Sequence, residues 1–316
     1  MFSPARDADK TVARPVFRFA PSPNGPLHLG HALSALTGYE MAQACGGRFL
    51  LRIEDIDLGR TRAEHIEAIY ADLAWLGLTW EQPVWRQSTR FAAYREATAR
   101  LQADGLVYPS FANRSQITAA LEDAADPARD PDGVTLLPPQ LRELDAHHAS
   151  SRIARGAPFA LRLHMPRALA AASERLGGAP LTFREISPAG VIETRPCRPE
   201  RWGDCVIVRK EIPASYHLAV VVDDAAQGVT HVTRGQDLLV ATDIHRLLQV
   251  LLGLPEPIYH HHRLILGPDG QKLSKSAQDR AMAELRASGL DAQTLKLQIG
   301  TTHPQGSWRE AINISV

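Results

Sequence analysis

Apolar and polar stretches alternate in a regular order from Val16 onward. An apolar run, VFRFA, is followed by a Pro/Gly-rich turn, PSPNGPLHLG, then by a helix-compatible stretch, HALSALTGYEMAQACG, and then by a second apolar run, RFLLRIEDI. Short apolar runs bounded by turn residues suit buried strands, and the longer stretch between them suits a crossover helix. The order predicts a βαβ unit and a parallel sheet whose ligand site lies at the carboxyl ends of its strands, where a helix N-terminus can meet an anion. The next segment, AEHIEAIYADLAWLGL, spaces Ile66, Ile69, Leu73 and Leu76 by three and four residues. That spacing predicts an amphipathic helix packed on the core.

Between about 110 and 200 the rhythm breaks into proline- and charge-rich text such as DPARDPDGVTLLPPQ, which predicts an insertion with its own small fold. Strand-like segments resume at CVIVRK and SYHLAVVVDDAAQGVTHVTRG, followed by a helix over ATDIHRLLQVLLGL and a helical tail from about Asp279. The expected organisation is an α/β, Rossmann-like parallel-sheet core split by an inserted α+β subdomain. Residues 1–108 would form its first half, 109–202 the insertion, 203–262 the second half, and 263–316 a basic loop and short helical tail.

Composition changes this picture little. With 44% hydrophobic and 22% charged residues among 316, the chain can bury a sizeable core. The mixed-charge N-terminus lacks the apolar stretch of a secretory signal, and no run is long enough to span a bilayer, so a cytoplasmic protein without a membrane partner is expected. Cys45, Cys197 and Cys205 form no CxxC or CxC pair, which leaves no disulfide framework or zinc knuckle to read. Oligomeric state leaves no trace in the sequence, and a monomer is the expectation. Charge is balanced at 35 of each sign but unevenly distributed: residues 151–210 hold eleven bases against five acids, and residues 101–150 three against eight. Clustered arginines can face phosphates whatever the net charge, and equally can form a solvated surface with no partner.

Two short motifs carry chemistry. His28-Leu29-Gly30-His31 falls where the first strand gives way to the first helix. There two imidazoles can hydrogen-bond nucleotide phosphates while Gly30 permits close approach, next to a positive helix end. Lys272-Leu273-Ser274-Lys275-Ser276 follows the turn Gly267-Pro268-Asp269-Gly270, and its lysines can close over a triphosphate as pyrophosphate leaves. Either motif alone is as readily incidental. Some 240 residues apart in a βαβ context, they support each other.

Together they resemble the HIGH and KMSKS signatures of class I aminoacyl-tRNA synthetases. RFAPSPNGPLHLGHA, RIEDIDLGR, LGLTW, SYHLAVVVDD, TRGQDLL and KLSKS, in that order, narrow the resemblance to the glutamate-specific branch over about residues 16–290. Within it the chain is most similar to the short paralogues that glutamylate queuosine in tRNA(Asp), since only about forty residues follow Ser276. The resemblance implies ATP and Mg2+, with His28, His31 and Lys275 catalytic and with Gly30, Lys272 and Ser274 joining them at the nucleotide. It implies a glutamate pocket from Arg18, Phe19, Ala20, Pro21, Ser22, Glu54, Tyr216 and Arg234. Glu54 would accept from the α-ammonium, and Arg234 would pair with the side-chain carboxylate; for Glu54 a simple surface ion pair with Arg52 or Arg60 is the alternative.

Many members of that branch bind zinc in the insertion. The corresponding positions here are Ser110, Ala112, Leu137 and Leu141, without thiolate or phenol, so zinc is not expected. His147, His148 and the run His260-His261-His262 read as surface or core residues, and no metal ligand is assigned. The implied acceptor is the anticodon loop of tRNA(Asp), resting on the basic segment from Arg152 to Lys210 and entering the cleft itself. Alternatives are a truncated glutamyl- or glutaminyl-tRNA synthetase charging a 3′ end, an HxGH small-molecule nucleotidyltransferase, and a non-catalytic tRNA-binding relative.

Overall fold

The computed structural model describes residues 14–121, 126–142, 145–265 and 281–300. The first two apolar runs form β1 (Val16–Phe19) and β2 (Arg48–Ile53), joined through α1 (Leu29–Ala44) and paired in parallel with Phe17 opposite Phe49. This is the βαβ unit expected from the apolar pattern. α2 (Ala63–Trp75) buries Ile66, Ile69 and Leu73, with Leu76 buried just beyond its end. β3 (Glu81–Arg86) then adds in parallel outside β2.

The middle of the chain contains α3 (Phe91–Ala103), β4 (Val107–Ser110), α4 (Arg114–Ala119), α5 (Ala146–Ala154), β5 (Ala160–Leu163) and α6 (Met165–Arg175). A hairpin of β6 (Thr182–Ile186) and β7 (Ile192–Pro196) follows, then β8 (Val206–Val208) and α7 (Tyr216–Ala226). β9 (His231–Gly235), α8 (Ala241–Leu252) and β10 (Ile258–His262) complete the main sheet, and α9 (Met282–Ala287) and α10 (Ala292–Ile299) come last among the described residues. No helix among them is long and apolar enough to cross a membrane.

Seven strands form the main sheet in the order β3-β2-β1-β9-β10-β6-β7, parallel except for the β6–β7 hairpin. A second, antiparallel sheet has the order β4-β5-β8. Sheet membership therefore does not follow a boundary at 202: β6 and β7 lie before it yet join the main sheet, and β8 lies after it yet pairs with β5. Which sheet a short strand joins is decided by partners far away in sequence, which local alternation does not encode.

One strand-like stretch is a helix. SYHLAVVVDD forms α7, started by Ser215, whose side chain accepts from the Leu218 N–H. Its Val220 and Val221 are buried, as are Asp223 and Asp224. A helix buried on so much of its circumference loses the 3.6-residue polar stripe and reads as an apolar run.

Alternation along β1 and β2 places Phe17, Phe19, Phe49, Leu51 and Ile53 in one core with α1, α2, α9 and α10. The residues between them, Arg18 and Arg52, reach buried carboxylates of α7. Gly38 lets α1 lie close on the sheet, since a Cβ there would sit 2.7 Å from Thr233 Oγ1. β1 has β2 on one side and β9 on the other. Connections leave in opposite directions at that point, which opens a crevice at the carboxyl ends of β1 and β9.

Candidate active site

The HLGH turn builds the start of α1. His28 is its N-cap: its Nδ1 accepts from the Gly30 N–H at 3.1 Å, and His31 Nδ1 accepts from the His28 N–H at 3.1 Å. This is a reciprocal capping box made of imidazoles, which explains why the two histidines stand three apart. With Nδ1 accepting, the proton of each neutral ring is on Nε2. The rings lie 3.8 Å apart between centroids. Gly30 is required by the His28 ring itself, because a Cβ there would meet Cε1 at 2.9 Å.

Beside this helix end, the segment after β1 is tied to the segment after β2 by the Glu54 N–H donating to Pro21 O at 3.0 Å. Beneath both lies a buried ionic network. Arg52, fully buried, donates to Asp224 Oδ1 at 2.8 Å, to Gln227 at 2.8 Å and to Glu54 Oε1 at 3.0 Å. Arg18 donates from Nε and Nη2 to the two oxygens of Asp224 at 3.1 and 3.3 Å, and from Nη1 to Thr233 O at 3.3 Å. Asp223 accepts from Arg90 at 2.6 Å, Tyr94 at 2.7 Å and Gln87 at 3.2 Å. Glu54 is thus paired with Arg52, but in the interior rather than on the surface.

Charge balance sets the titration of these groups. Burial pushes Asp224 up, but Arg18 and Arg52 outweigh it and hold the carboxyl below its ordinary value. Burial also pushes Glu54 up, and its attraction to Arg52 and Arg18 does not fully offset this, so its pKa is raised. A carboxylate with one arginine hydrogen bond, unlike Asp224 with two arginines, is left short of positive partners.

Arg234 on β9 is different. It is buried, yet its partners are neutral: Nε donates to His261 Nε2 at 3.1 Å, Nη1 to His245 Nδ1 at 3.0 Å, and Nη2 to Thr242 Oγ1 at 2.7 Å. Burial, then Arg234 itself, push His245 well below the ordinary histidine value. Burial likewise depresses His261 to about 4 although Glu185 opposes the shift. Among the described residues no carboxylate pairs with Arg234.

These pieces enclose a cavity of about 360 Å³. Its wall includes Arg18, Phe19, Ala20, Pro21, Ser22, His28, Gly30, His31, Glu54, Tyr216 and Arg234, so every expected site residue within the described segments is at one place. Thr233, Asp237 and His262 line it as well; the first two are not among the expected site residues, and His262 had the pattern of a surface or core residue. Lys272, Ser274 and Lys275 lie outside the described residues. On one side Ile265 is in the cavity wall, and on the other Met282, which follows the N-cap residue Ala281, donates its N–H to Leu27 O at 2.9 Å, one residue before His28.

The zinc positions do not fit the metal. Ser110 ends β4 and is buried with its hydroxyl unpartnered, Leu137 is buried, and the methyl of Ala112 and the isobutyl of Leu141 offer no donor. Nearby, Asp204 accepts from Tyr108 at 2.6 Å, from Arg142 at 2.6 and 3.1 Å, and from the Met165 N–H at 3.1 Å, joining the small sheet to its helices. No group of three or more His, Cys, Asp or Glu among the described residues could hold a metal ion. His260, His261 and His262 are buried on β10, with His261 serving Arg234.

The basic segment is less free than its composition implies. Arg175, Arg184, Arg195, Arg201 and Arg209 each pair with a carboxylate. Arg155, Arg167, Arg198 and Lys210 are exposed.

Residues 16–297 match the family of class I tRNA synthetases for E and Q, catalytic domain. A protein of Rhodobacter capsulatus called glutamyl-Q tRNA(Asp) synthetase is 45% identical over 287 residues, covering 90% of this chain and 99% of that protein. One of the same name from Symbiobacterium thermophilum is 40% identical, covering 88% and 83% respectively. Among solved structures, the glutamate-tRNA synthetase of Elizabethkingia anophelis superposes with a TM-score of 0.68 at 29% identity, over 83% of this chain. The chain spans about half, 52%, of that structure's length.

Proposed function

The chain belongs to the family of class I tRNA synthetase catalytic domains for glutamate and glutamine, and from that premise we propose that it activates glutamate as its adenylate and transfers it to queuosine in the anticodon of tRNA(Asp). One observation carries the amino-acid choice: Arg234, buried at the cavity wall, has only neutral partners among the described residues. A buried guanidinium without a counter-charge is costly, and a ligand carboxylate relieves that cost where a carboxamide does not. Glu54, short of positive partners, suits the α-ammonium of the same ligand.

In the first half-reaction an α-carboxylate oxygen attacks the α-phosphorus of ATP, the bond to the β-phosphate oxygen breaks, and pyrophosphate leaves. His28 and His31, with protons on Nε2 at the positive end of α1, would donate to phosphate oxygens as charge accumulates there. Lys275 and Lys272 would act on the same phosphates. ATP would bring Mg2+ as its counter-ion. In the second half-reaction a queuosine hydroxyl attacks the adenylate carbonyl, forming an ester and releasing AMP. The exposed Arg155, Arg167, Arg198 and Lys210 are bases from which anticodon phosphates would be held.

The relatives named for this reaction are matched over most of their length, which favours this acceptor over a tRNA 3′ end. The first test is amino-acid-dependent ATP–pyrophosphate exchange. Glutamate is expected to support it and glutamine to support it at least about 100-fold less efficiently, the discrimination a site built for one polar group gives. Equal exchange with both overturns the reading.

A further inference from the structure

Arg234 has five N–H groups and no acceptor, so the imidazole nitrogens facing it must both be unprotonated. That fixes two tautomers. His261 carries its proton on Nδ1 and donates it to Glu185 Oε1 at 2.6 Å, and His245 carries its proton on Nε2 and donates it to His217 Nδ1 at 3.1 Å. Glu185 is in turn paired with Arg195 on its outer side. Arg195, Glu185, His261 and Arg234 therefore form one hydrogen-bonded row across four adjacent strands, β7, β6, β10 and β9, with Arg234 directly opposite His261 in register.

Three of the five N–H groups are occupied by these neutral partners and Thr242. Two remain, one on each terminal nitrogen, which is the number a bidentate carboxylate takes. Carboxylates in place of His245 or His261 would hold the guanidinium as firmly but would cancel its charge. Imidazoles fix its direction and leave the charge in the cavity.

We propose that His245 and His261, locked as acceptors by His217 and Glu185, are positioning residues that set the preference for a carboxylate over a carboxamide side chain. The inference rests on the proposed activation of glutamate and identifies what that selectivity depends on. It makes the unsupported Arg234 charge a built feature, maintained by a second row of side chains that never touches the amino acid.

The test compares size-matched replacements at position 245, using ATP–pyrophosphate exchange with glutamate and with glutamine. His245→Asn offers a carboxamide oxygen where Nδ1 stood, His245→Asp offers a carboxylate there, and His245→Leu offers nothing. His245→Asp is expected to lower the ratio of kcat/KM for glutamate over glutamine by about 100-fold, and His245→Leu by about 10-fold through a raised KM for glutamate. KM for ATP should stay within about twofold. His245→Asn should recover most of the ratio, and His261→Gln against His261→Leu should repeat the pattern. A merely structural role would lower both amino acids together and leave the ratio at its wild-type value. That result, in folded His245→Asp protein, overturns the inference alone; absence of glutamate-dependent exchange in the wild type overturns the functional reading and the inference with it. Should the leucine variants fail to fold, the Asn and Asp pair decides.

Discussion

Arg52 on β2 and Asp224 on α7 meet at 2.8 Å in the interior, 172 residues apart in sequence. Asp224 also holds Arg18, so a single carboxylate joins two strands of the sheet to the helix that covers them. Both arginines approach the cavity from below, Arg18 in its wall and Arg52 through Glu54.

Asp224→Asn should therefore damage stability and site together. It leaves Arg52 and Arg18 under-compensated in the interior, for which a loss of roughly 3–5 kcal/mol is expected. Urea unfolding of the variant and the wild type at pH 7.5 measures this. A loss below about 1 kcal/mol would mean that the network contributes no more than an exposed ion pair.

His31 has two roles of very different size. As the partner in the capping box it contributes about 1 kcal/mol to α1, whereas as a phosphate donor it would contribute about 100- to 1,000-fold to the rate. His31→Ala is expected to shift the unfolding free energy by about 1 kcal/mol and to slow adenylate formation by at least about 100-fold. Rate loss no larger than the stability loss accounts for would reduce the histidine to a helix cap.

Buried neutral histidines predict acid sensitivity. Burial pushes His231 and His261 down to about 4, against about 6.5 in the unfolded chain. Between these values the unfolded state binds more protons, so stability rises with pH across that window, is complete above about 6.5, and falls away as pH drops through it. Glu54, raised by burial, works in the opposite direction over the carboxylate range. At pH 5 each histidine accounts for a loss of about 2 kcal/mol. His231 stacks on Phe17 at 4.7 Å, away from the site, with Nε2 unpartnered. His231→Phe should accordingly lose about 2 kcal/mol less than the wild type between pH 7.5 and pH 5. Parallel losses would show that other groups set the acid limit.

The sequence made visible what is local. The βαβ order and the HLGH turn at a helix start could be found from the residues themselves, and Arg18, Glu54, Tyr216 and Arg234 from the family resemblance their motifs carry; the turn and these four residues meet at one cavity. Whatever depends on distant partners was hidden. Asp223 and Asp224 sit in an apolar run that reads as a strand, and only the fold of α7 turns them toward Arg52 and Arg90. His261 and His245 carry no local signal because their role depends on Arg234, which His261 faces across the sheet and His245 reaches from α8. The β6–β7 hairpin falls in text that looks like an insertion, yet it supplies Glu185 to the same row.

Transfer to queuosine in the anticodon, as opposed to a tRNA 3′ end, is decided by an incorporation assay. Labelled glutamate and ATP are supplied to the enzyme with a tRNA(Asp) anticodon stem-loop carrying queuosine, and with the same stem-loop carrying guanosine. Glutamate is expected to enter the queuosine stem-loop at a rate near that of whole queuosine-containing tRNA(Asp) and not to enter the guanosine form, with binding that weakens steeply with added salt as phosphate contacts require. Incorporation that needs the 3′-terminal adenosine, or that proceeds equally without queuosine, would contradict it.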